Sequence, residues 1–580
     1  MPGRQTPADD DSFDSVVHGS RGVPETLGAT APAPTAAIPS TPSPSTPSHS
    51  TPRHSTPSDS ATGTLSRIDL WWNRMLSTPA RQRLWSWGGP VFVTLLAAVL
   101  RLWNLGTPHA LVFDETFYVK DAWSQWNNGY STTWPENADA AFANGETDQY
   151  STTGSYVVHP PLAKWLIGLG MAIFGADSSV GWRISTAVVG ILAVLLVTLI
   201  ARQLFQSKLL GVIAGGLLAI DGHAIVMSRV ALLDTYVMFF ALCGFACVLL
   251  DRRWHERRLA SALAARTASG RPLTWGPAIW ARPWVVAAGV AFGLCTATKW
   301  SGLYFLAAFG LYLVAVDALD RRRAGVPFWA SAAILKQGPA TFLLLVPVAL
   351  VVYVVSWTGW FVTDGGYDRQ YAADGNAWAG AFSWMPLAVQ SLVAYHQSMY
   401  DFHVSLSTPH PYQSNPWTWL LMLRPVAMWY DGVPAGTGGC SSDCVVDITS
   451  IANPLIWWAG AAASVYLLVR LVLKREWTTG LILMGFAGGY LPWLLYTNRT
   501  VFQFYSIAFE PYLVLALTLV IGLLLGRPDS PPDRRTSVIL AVGVFGVLCM
   551  LLTAFWYPMW TATPVPTWFV GLHYWLQSWI

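Results

Sequence analysis

Two adjacent carboxylates, Asp114 and Glu115, follow a long apolar run that ends near Leu105. A carboxylate is costly to place beside a membrane segment, so such a residue is a candidate for function. Adjacent side chains point in different directions on most backbones, which suits two roles. One carboxylate could deprotonate a hydroxyl nucleophile while the other binds an acceptor or orients a partner. The alternative is a helix cap at the membrane interface.

Several basic residues stand at the ends of apolar runs. Arg183 opens the second long run, where we expect it to pair with an anion, either a lipid phosphate or the Asp114–Glu115 pair. Lys299 lies between two runs and is interpreted as a partner for an anionic headgroup. Arg499 is a further cation at the end of a run. Together these residues could converge on one phosphate group.

Two other motifs give weaker signals. In the segment His159–Lys164, the double proline predicts a rigid entry into a helix. His159 and Lys164 would then lie at the membrane surface, where Lys164 contacts a lipid phosphate or only extends its ammonium group towards water. Arg229 and Asp234 flank a short turn. Their i, i+5 spacing is slightly off the favoured helical pairing, but a structural ion pair between them is the preferred interpretation.

The segment His410–Trp417 mixes aromatic and amide groups, as sugar-binding surfaces do. His410, Tyr412 and Gln413 are therefore candidate contacts to an acceptor or a sugar. A turn with packed aromatic rings is the alternative, and the sequence does not decide between the two.

Cys440 and Cys444 lie in a loop rich in Gly and Ser, where a short disulfide is expected if the loop faces an oxidising compartment. A zinc site would need two more ligands, which the neighbouring sequence lacks. The sequence contains no phosphate-binding glycine loop, no HExxH motif and no paired-Asp motif for a metal–nucleotide sugar. A sugar donor, if there is one, would not need a nucleotide.

A membrane scaffold must hold these residues. The chain has 580 residues, of which 53% are hydrophobic and 12% charged, whereas soluble proteins carry about 25% charged residues. Eleven apolar runs are candidate spans: 88–105, 181–204, 209–223, 231–250, 284–299, 301–317, 339–360, 454–472, 478–496, 504–526 and 536–557. Basic residues concentrate in alternate loops, which predicts a cytoplasmic N-terminus and an extracytoplasmic C-terminus.

Residues 1–66 are rich in Pro, Ser and Thr and are predicted to form a disordered cytoplasmic tail, with residues 67–580 as the catalytic membrane domain. Two long outer loops, 106–180 and 361–453, are large enough for a substrate site. In the first, residues 162–174 are apolar but too short to span, which predicts an interfacial or re-entrant helix. The second shows little helical periodicity and is expected to fold over the membrane surface and cover the cavity.

Five separated motifs resemble the protein O-mannosyltransferases in order and spacing. These are polyprenyl (dolichyl) phosphate-mannose–protein mannosyltransferases, integral-membrane enzymes of glycosyltransferase family 39 with the GT-C fold. The second-loop segments 410–414 and 424–425 resemble the bacterial branch, and this loop is too small for the β-trefoil domain of the fungal and animal enzymes. The motifs are Phe113–Glu115, His159–Lys164, Arg183, Ser228–Asp234 and Thr298–Leu303.

The resemblance implies an all-α, polytopic GT-C protein in which Asp114 is the base for an acceptor hydroxyl. Glu115 would help to hold the acceptor peptide, and Arg183 would bind the donor phosphate or orient the carboxylates. Asp234 would be structural. The weaker candidates for binding the donor or the substrate are His159, Lys164, Arg229, Lys299 and Arg499.

We therefore expect transfer of mannose from polyprenyl-phosphate-mannose to Ser or Thr of proteins, with inversion, at the outer face of a bacterial, actinobacterial-type plasma membrane. The expected partners are the donor lipid, an acceptor polypeptide that is presented during secretion, and the membrane. No nucleic acid, cofactor or resident metal is expected. The alternatives are a GT-C enzyme that acts on a lipid or cell-wall glycan, and a transporter, although the sequence shows no inverted repeat.

Overall fold

The computed structural model describes residues 67–526 and 531–579. The predicted disordered tail, residues 1–66, lies outside the described residues. Helices dominate the described chain, as expected for a polytopic membrane protein. In chain order they are α1 (Arg67–Met75), α2 (Pro79–Leu102), α3 (Glu115–Asn128), α4 (Ala138–Ala143), α5 (Leu162–Phe174), α6 (Ser179–Phe205), α7 (Lys208–Ile220), α8 (Gly222–Arg229), α9 (Asp234–Ala268), α10 (Pro283–Thr298), α11 (Gly302–Arg323), α12 (Trp329–Ala332), α13 (Gly338–Ser356), α14 (Thr358–Val362), α15 (Leu387–Ser405), α16 (Pro454–Lys474), α17 (Trp477–Gly489), α18 (Glu510–Leu525), α19 (Pro532–Trp560) and α20 (Thr567–Gly571).

Seven stretches of helix are long and apolar enough to cross a membrane, and a bent pair raises the number to eight, within the described residues. The seven are α2, α6, α9, α11, the stretch Trp329–Ser356, α16 and Asp533–Trp560, and the bent pair is α7 with α8. Each of the eleven predicted runs contains a helix. However, α10, α17 and α18 have only 16, 13 and 16 residues, fewer than the roughly 20 that a span needs. The count of eleven spans stays a prediction.

The third predicted span is bent by 60° where α7 meets α8. Asp221 occupies the break, and its carboxylate accepts hydrogen bonds from the backbone N–H groups of His223 (2.9 Å) and Ala224 (3.4 Å), so it caps α8. Arg101 of α2 donates to the carbonyls of Leu218 and Ala219 at the end of α7. The side chains of Asp221, in the bend, and of Arg101, on another helix, therefore satisfy backbone groups that the bend exposes.

The first predicted outer loop, residues 106–180, contains α3, α4 and α5. Helix α5 has the bounds expected from the apolar run after the double proline, and it packs against α3 and α6. A separate cluster of buried apolar side chains, which includes Val119, Ile167, Trp182 and Tyr236, joins this loop to α6 and α9. The loop is thus part of the packed protein.

The second predicted outer loop, residues 361–453, differs from the prediction in two ways. It contains the 19-residue helix α15, so the expectation of little helical periodicity is wrong. It also contributes strands β1 (Val426–Val433) and β2 (Cys444–Ser450), which form an antiparallel sheet with β3 (Val565–Pro566) in the order β1-β2-β3. The all-α expectation therefore needs this correction. A Gly-rich turn within residues 434–443 closes the β1–β2 hairpin. Glycine favours turns, so this part of the loop shows no helical pattern in the sequence.

Candidate active site

Asp114 stands directly before α3, at the position of a helix cap. Its side chain caps nothing, and no hydrogen bond to its carboxylate occurs among the described residues. Burial raises the pKa of Asp114 to about 6, while neighbouring Lys299 opposes the shift. A carboxylate without a fixed partner and with a pKa near neutrality suits a general base. The capping role considered from the sequence is not what the geometry shows.

Glu115 and Arg183 form a fully buried ion pair. Arg183 donates from Nε to Oε1 and from Nη2 to Oε2 of Glu115, each at 2.8 Å. Its remaining N–H groups reach the carbonyls of Leu105, Pro108 and Ala110, so no donor is left for a phosphate.

The same arrangement occupies both oxygens of Glu115. The carboxylate also accepts from the backbone N–H groups of Val112 (3.0 Å) and Ala231 (2.8 Å). A donor-phosphate contact by Arg183 and an acceptor contact by Glu115 both conflict with these bonds. The alternative interpretation, that Arg183 orients the carboxylates, fits the geometry.

Lys299 pairs with Asp234, and its Nζ lies 3.0 Å and 3.2 Å from the two carboxylate oxygens. The ammonium group also lies 4.0 Å from the ring centre of Tyr505. The predicted Arg229–Asp234 ion pair is therefore wrong. Residues 230–233 leave the helical path between α8 and α9, so the spacing along a helix does not apply. Arg229 instead donates to backbone carbonyls of residues 101, 103 and 104.

A cavity of about 220 Å³ lies beside Lys299. Arg499 and His403 also line it, and Arg499 Nη2 donates to His403 Nδ1 at 2.9 Å. His403 Nε2 donates to the carbonyl of Val158 at 2.8 Å, and because Nδ1 accepts from Arg499 the imidazole is neutral. Burial and the nearby Arg499 lower the pKa of His403 to about 4. The buried Nε of Arg499 has no partner among the described residues, which leaves a donor for a bound anion.

His403 was missed in the sequence, although a signal was present. His396, Tyr400 and His403 recur at spacings of four and three residues, so they share one face of α15. We call the cavity beside Lys299 and Arg499 the cation cavity. Tyr400 lines it and also lines a second, apolar cavity of about 450 Å³, to which His396 contributes as well. The two cavities also share Trp300 and Leu303. A charged head and an apolar tail could therefore bind side by side.

His159 lines the same cation cavity, and its ring stacks on His403 with the centroids 5.2 Å apart. Lys164 does not lie at the surface as expected, since it is 1% exposed. Its Nζ donates to the carbonyl of His159 at 3.3 Å. Burial raises the pKa of nearby Asp121 to about 6, and Lys164 opposes that shift. The packing of α5 against α3 explains the burial of Lys164.

His410, Tyr412 and Gln413 form the packed turn that was the alternative to a sugar-binding surface. The backbone N–H of Tyr412 donates to His410 Nδ1 at 3.1 Å, and Gln413 Oε1 accepts from the backbone N–H of His410 at 3.2 Å. The guanidinium of Arg424 lies over the Tyr412 ring. Elsewhere in the loop, Cys440 and Cys444 are joined by a disulfide.

Comparisons with known proteins agree with the resemblance seen in the sequence. The sequence model of the dolichyl-phosphate-mannose-protein mannosyltransferase family matches residues 91–361, and that of the C-terminal four-transmembrane region of protein O-mannosyltransferase matches residues 388–579. The polyprenol-phosphate-mannose–protein mannosyltransferase of Mycolicibacterium smegmatis strain MKD8 is 36% identical over 86% of this chain and 93% of its own length. The Mycobacterium tuberculosis H37Rv protein of the same name is 35% identical over 86% and 92%.

Among solved structures, the S. cerevisiae protein O-mannosyltransferase Pmt1-Pmt2 complex bound to the sugar donor matches with a TM-score of 0.65. The sequence identity is 15%, and the match covers 89% of this chain and 95% of the yeast chain. The helical bundle is thus the GT-C fold of a multi-pass membrane glycosyltransferase. The chain belongs to the dolichyl-phosphate-mannose–protein mannosyltransferase family.

Proposed function

We propose that this protein transfers mannose from polyprenyl-phosphate-mannose to Ser or Thr hydroxyl groups of proteins. The observation that carries the proposal is the carboxylate of Asp114, which has no hydrogen-bond partner among the described residues and interacts electrostatically with Lys299. Lys299 lines a cavity that shares three residues with an apolar one. The curated relatives are named for a lipid-linked mannose donor and a protein acceptor. Their names favour this reaction over a lipid or glycan acceptor and over transport.

In the proposed mechanism the donor phosphate lies between Lys299 and Arg499, and its prenyl chain occupies the apolar cavity. Asp114 accepts the proton of the acceptor hydroxyl while the hydroxyl oxygen bonds to C1 of mannose. The bond from C1 to the phosphate oxygen breaks, and its electron pair leaves with the phosphate. The two cations stabilise the added negative charge, so the phosphate needs no proton. A single displacement inverts the configuration at C1.

In this mechanism Glu115 and Arg183 help to position Asp114. Their buried pair fixes the chain immediately after Asp114 to α6. We propose that no further cofactor is needed, since Lys299 and Arg499 supply positive charge for the leaving group. Retained transfer in the presence of EDTA tests this proposal.

We also propose eleven spans, a cytoplasmic N-terminus and an extracytoplasmic C-terminus, so that Asp114 faces the outer side of a bacterial plasma membrane. The support is the uneven distribution of basic residues: the outer loops 106–180 and 361–453 contain only Lys120, Lys164, Arg369 and Arg424. We propose that acceptors are presented during secretion. Labelling of single cysteines by an impermeant reagent at residues 270 and 375 in whole cells tests the orientation, because only position 375 should react.

The test of the reaction is transfer of radiolabelled mannose from polyprenyl-phosphate-mannose to a Thr/Pro-rich peptide in membranes. Wild type should label the peptide, and Asp114→Asn should lose nearly all transfer at equal protein level. Asp139→Asn is the matched control, since Asp139 lies in the same loop and forms a partly exposed ion pair with Lys120. Mannose in a lipid or glycan and none in peptide would overturn the protein acceptor. Full activity of Asp114→Asn would overturn the base.

A further inference from the structure

Phe113, the residue before Asp114, has a left-handed backbone conformation with φ of 51°. Bulky residues rarely adopt this conformation, which is strained and persists only where the surroundings enforce it. The turn places Glu115 N–H on the carbonyl of Val112 at 3.0 Å. The direction in which the Asp114 carboxylate points therefore depends on a strained residue.

Three rings surround the side chain of Phe113. His410, Phe502 and Phe504 each meet it edge to face, with centroid distances of 6.0, 5.8 and 5.6 Å and interplanar angles of 85–89°. Edge-to-face aromatic pairs stabilise a structure beyond the burial of apolar area. We call His410, Phe502 and Phe504 the Phe113 clamp. Together the three ring contacts hold the strained turn in place.

The rings of the clamp also pack on each other. Phe502 stacks on Phe504 with centroids 5.5 Å apart, and His410 meets Phe502 edge to face at 5.0 Å. Phe504 is 2% exposed. The clamp thus joins the second outer loop to the segment before α18 and fixes both against the turn that carries Asp114.

The segment that supplies two of these rings also supplies a cation of the donor cavity. Arg499 precedes Phe502 by three residues and Phe504 by five. Tyr505, whose ring lies under Lys299, follows directly. Residues 499–505 therefore contact Phe113, the residue before Asp114, and also line the proposed phosphate site through Arg499.

We propose that Phe113 is a positioning residue for the transfer reaction, held by the Phe113 clamp so that Asp114 points at the acceptor hydroxyl beside the donor. The proposal rests on the proposed function, because it assigns Asp114 as the base. The anchor on the other side of Asp114 is the Glu115–Arg183 pair. Removal of the clamp leaves Asp114 present but misdirected, and a misplacement of about 1 Å can cost about 100-fold in rate.

The test measures kcat and KM for mannose transfer by purified full-length variants in lipid. Phe113→Leu should lower kcat by about 10- to 100-fold, with KM for the donor within about twofold of wild type. Phe309→Leu is the control: Phe309 also makes edge-to-face and stacked ring contacts, but it packs on Phe245 and Phe292 and is fully buried, whereas Phe113 is partly buried. It should lower the amount of folded protein without lowering kcat. A kcat for Phe113→Leu that equals wild type, or falls no further than in the control, overturns the proposal.

A second pair of variants tests whether His410 acts through its aromatic ring or through its imidazole nitrogens. His410→Ala should lower kcat, and His410→Phe should restore most of the loss, because the clamp needs an aromatic edge and not an imidazole. Equal loss in both variants would show that His410 acts in another way and would overturn its place in the clamp.

Hydrolysis of polyprenyl-phosphate-mannose without peptide distinguishes failure of this proposal from failure of the proposed function. If wild type transfers no mannose to peptide, but hydrolysis depends on both Asp114 and Phe113, the acceptor assignment fails and the positioning role stands. If wild type glycosylates the peptide and Phe113→Leu does so at the same kcat, the function stands and the positioning role fails.

Discussion

Replacing Glu115 by Gln should damage the fold far more than it changes acceptor binding. The carboxylate is buried, accepts two bonds from Arg183 and accepts two more from backbone N–H groups. Gln keeps the shape of the side chain but leaves the guanidinium of Arg183 buried without its counter-charge. Loss of one partner from a buried ion pair costs about 3–5 kcal/mol. An exposed pair contributes about 0–1 kcal/mol.

Glu256→Gln provides the matched control, because Glu256 pairs with Arg252 at 2.7 Å while its side chain is 46% exposed. Thermal unfolding in detergent can be followed by the reaction of a thiol dye with Cys295, which is buried in the folded protein. Glu115→Gln should unfold at a clearly lower temperature than wild type and Glu256→Gln. Wild-type unfolding combined with a raised KM for peptide would refute this reasoning and return Glu115 to the acceptor contact that the resemblance implies.

Three further predictions concern the base, the phosphate site and the disulfide. Because burial raises the pKa of Asp114 to about 6, the base is ionised above that pH, so kcat/KM should rise with pH through about 6 and then level off. A profile that is flat across this range contradicts the assignment. Arg499→Gln should lower kcat/KM by about 10- to 100-fold, the value of one charge-assisted hydrogen bond. Arg369→Gln should not lower it, because the guanidinium of Arg369 donates to the carbonyls of Trp360 and Phe361. Equal losses in the two variants would indicate a general charge effect. Mass spectrometry after maleimide treatment should find Cys440 and Cys444 labelled only when the protein is first reduced, and labelling without reduction would contradict the disulfide.

Local patterns in the sequence were sufficient for part of this site. The basic residue Arg183 at the start of an apolar run predicted an anionic partner, either a lipid phosphate or the Asp114–Glu115 pair, and its partner in the structure is Glu115. The double proline and the apolar run predicted α5 at its observed bounds. In each case a strong local preference and the final packing agree.

Local sequence patterns did not predict which side chains of distant elements contact each other. Asp234 bonds Lys299, 65 residues away, and not Arg229 nearby, because the chain leaves the helix between α8 and α9. Lys164 is buried by a helix packed against it, whereas its position in the first turn of a helix expected at the membrane interface suggested the surface. The Phe113 clamp depends on rings nearly 300 to 390 residues further along the chain, and no local periodicity indicates which of many aromatic residues will meet.

The bend between α7 and α8 ties an early part of the chain to parts that are synthesised much later. Asp221 accepts a hydrogen bond from the backbone N–H of Asn453 at 3.1 Å, and the hydroxyl of Thr553 donates to the carbonyl of Ile220 at 2.7 Å. Each polar backbone group left without a partner in lipid costs several kcal/mol. Residues 453 and 553 follow these partners by 232 and 333 residues, so the carbonyl of Ile220 and one oxygen of Asp221 lack them until that part of the chain has been made. The contacts at the bend are therefore completed only when the C-terminal helices are in place.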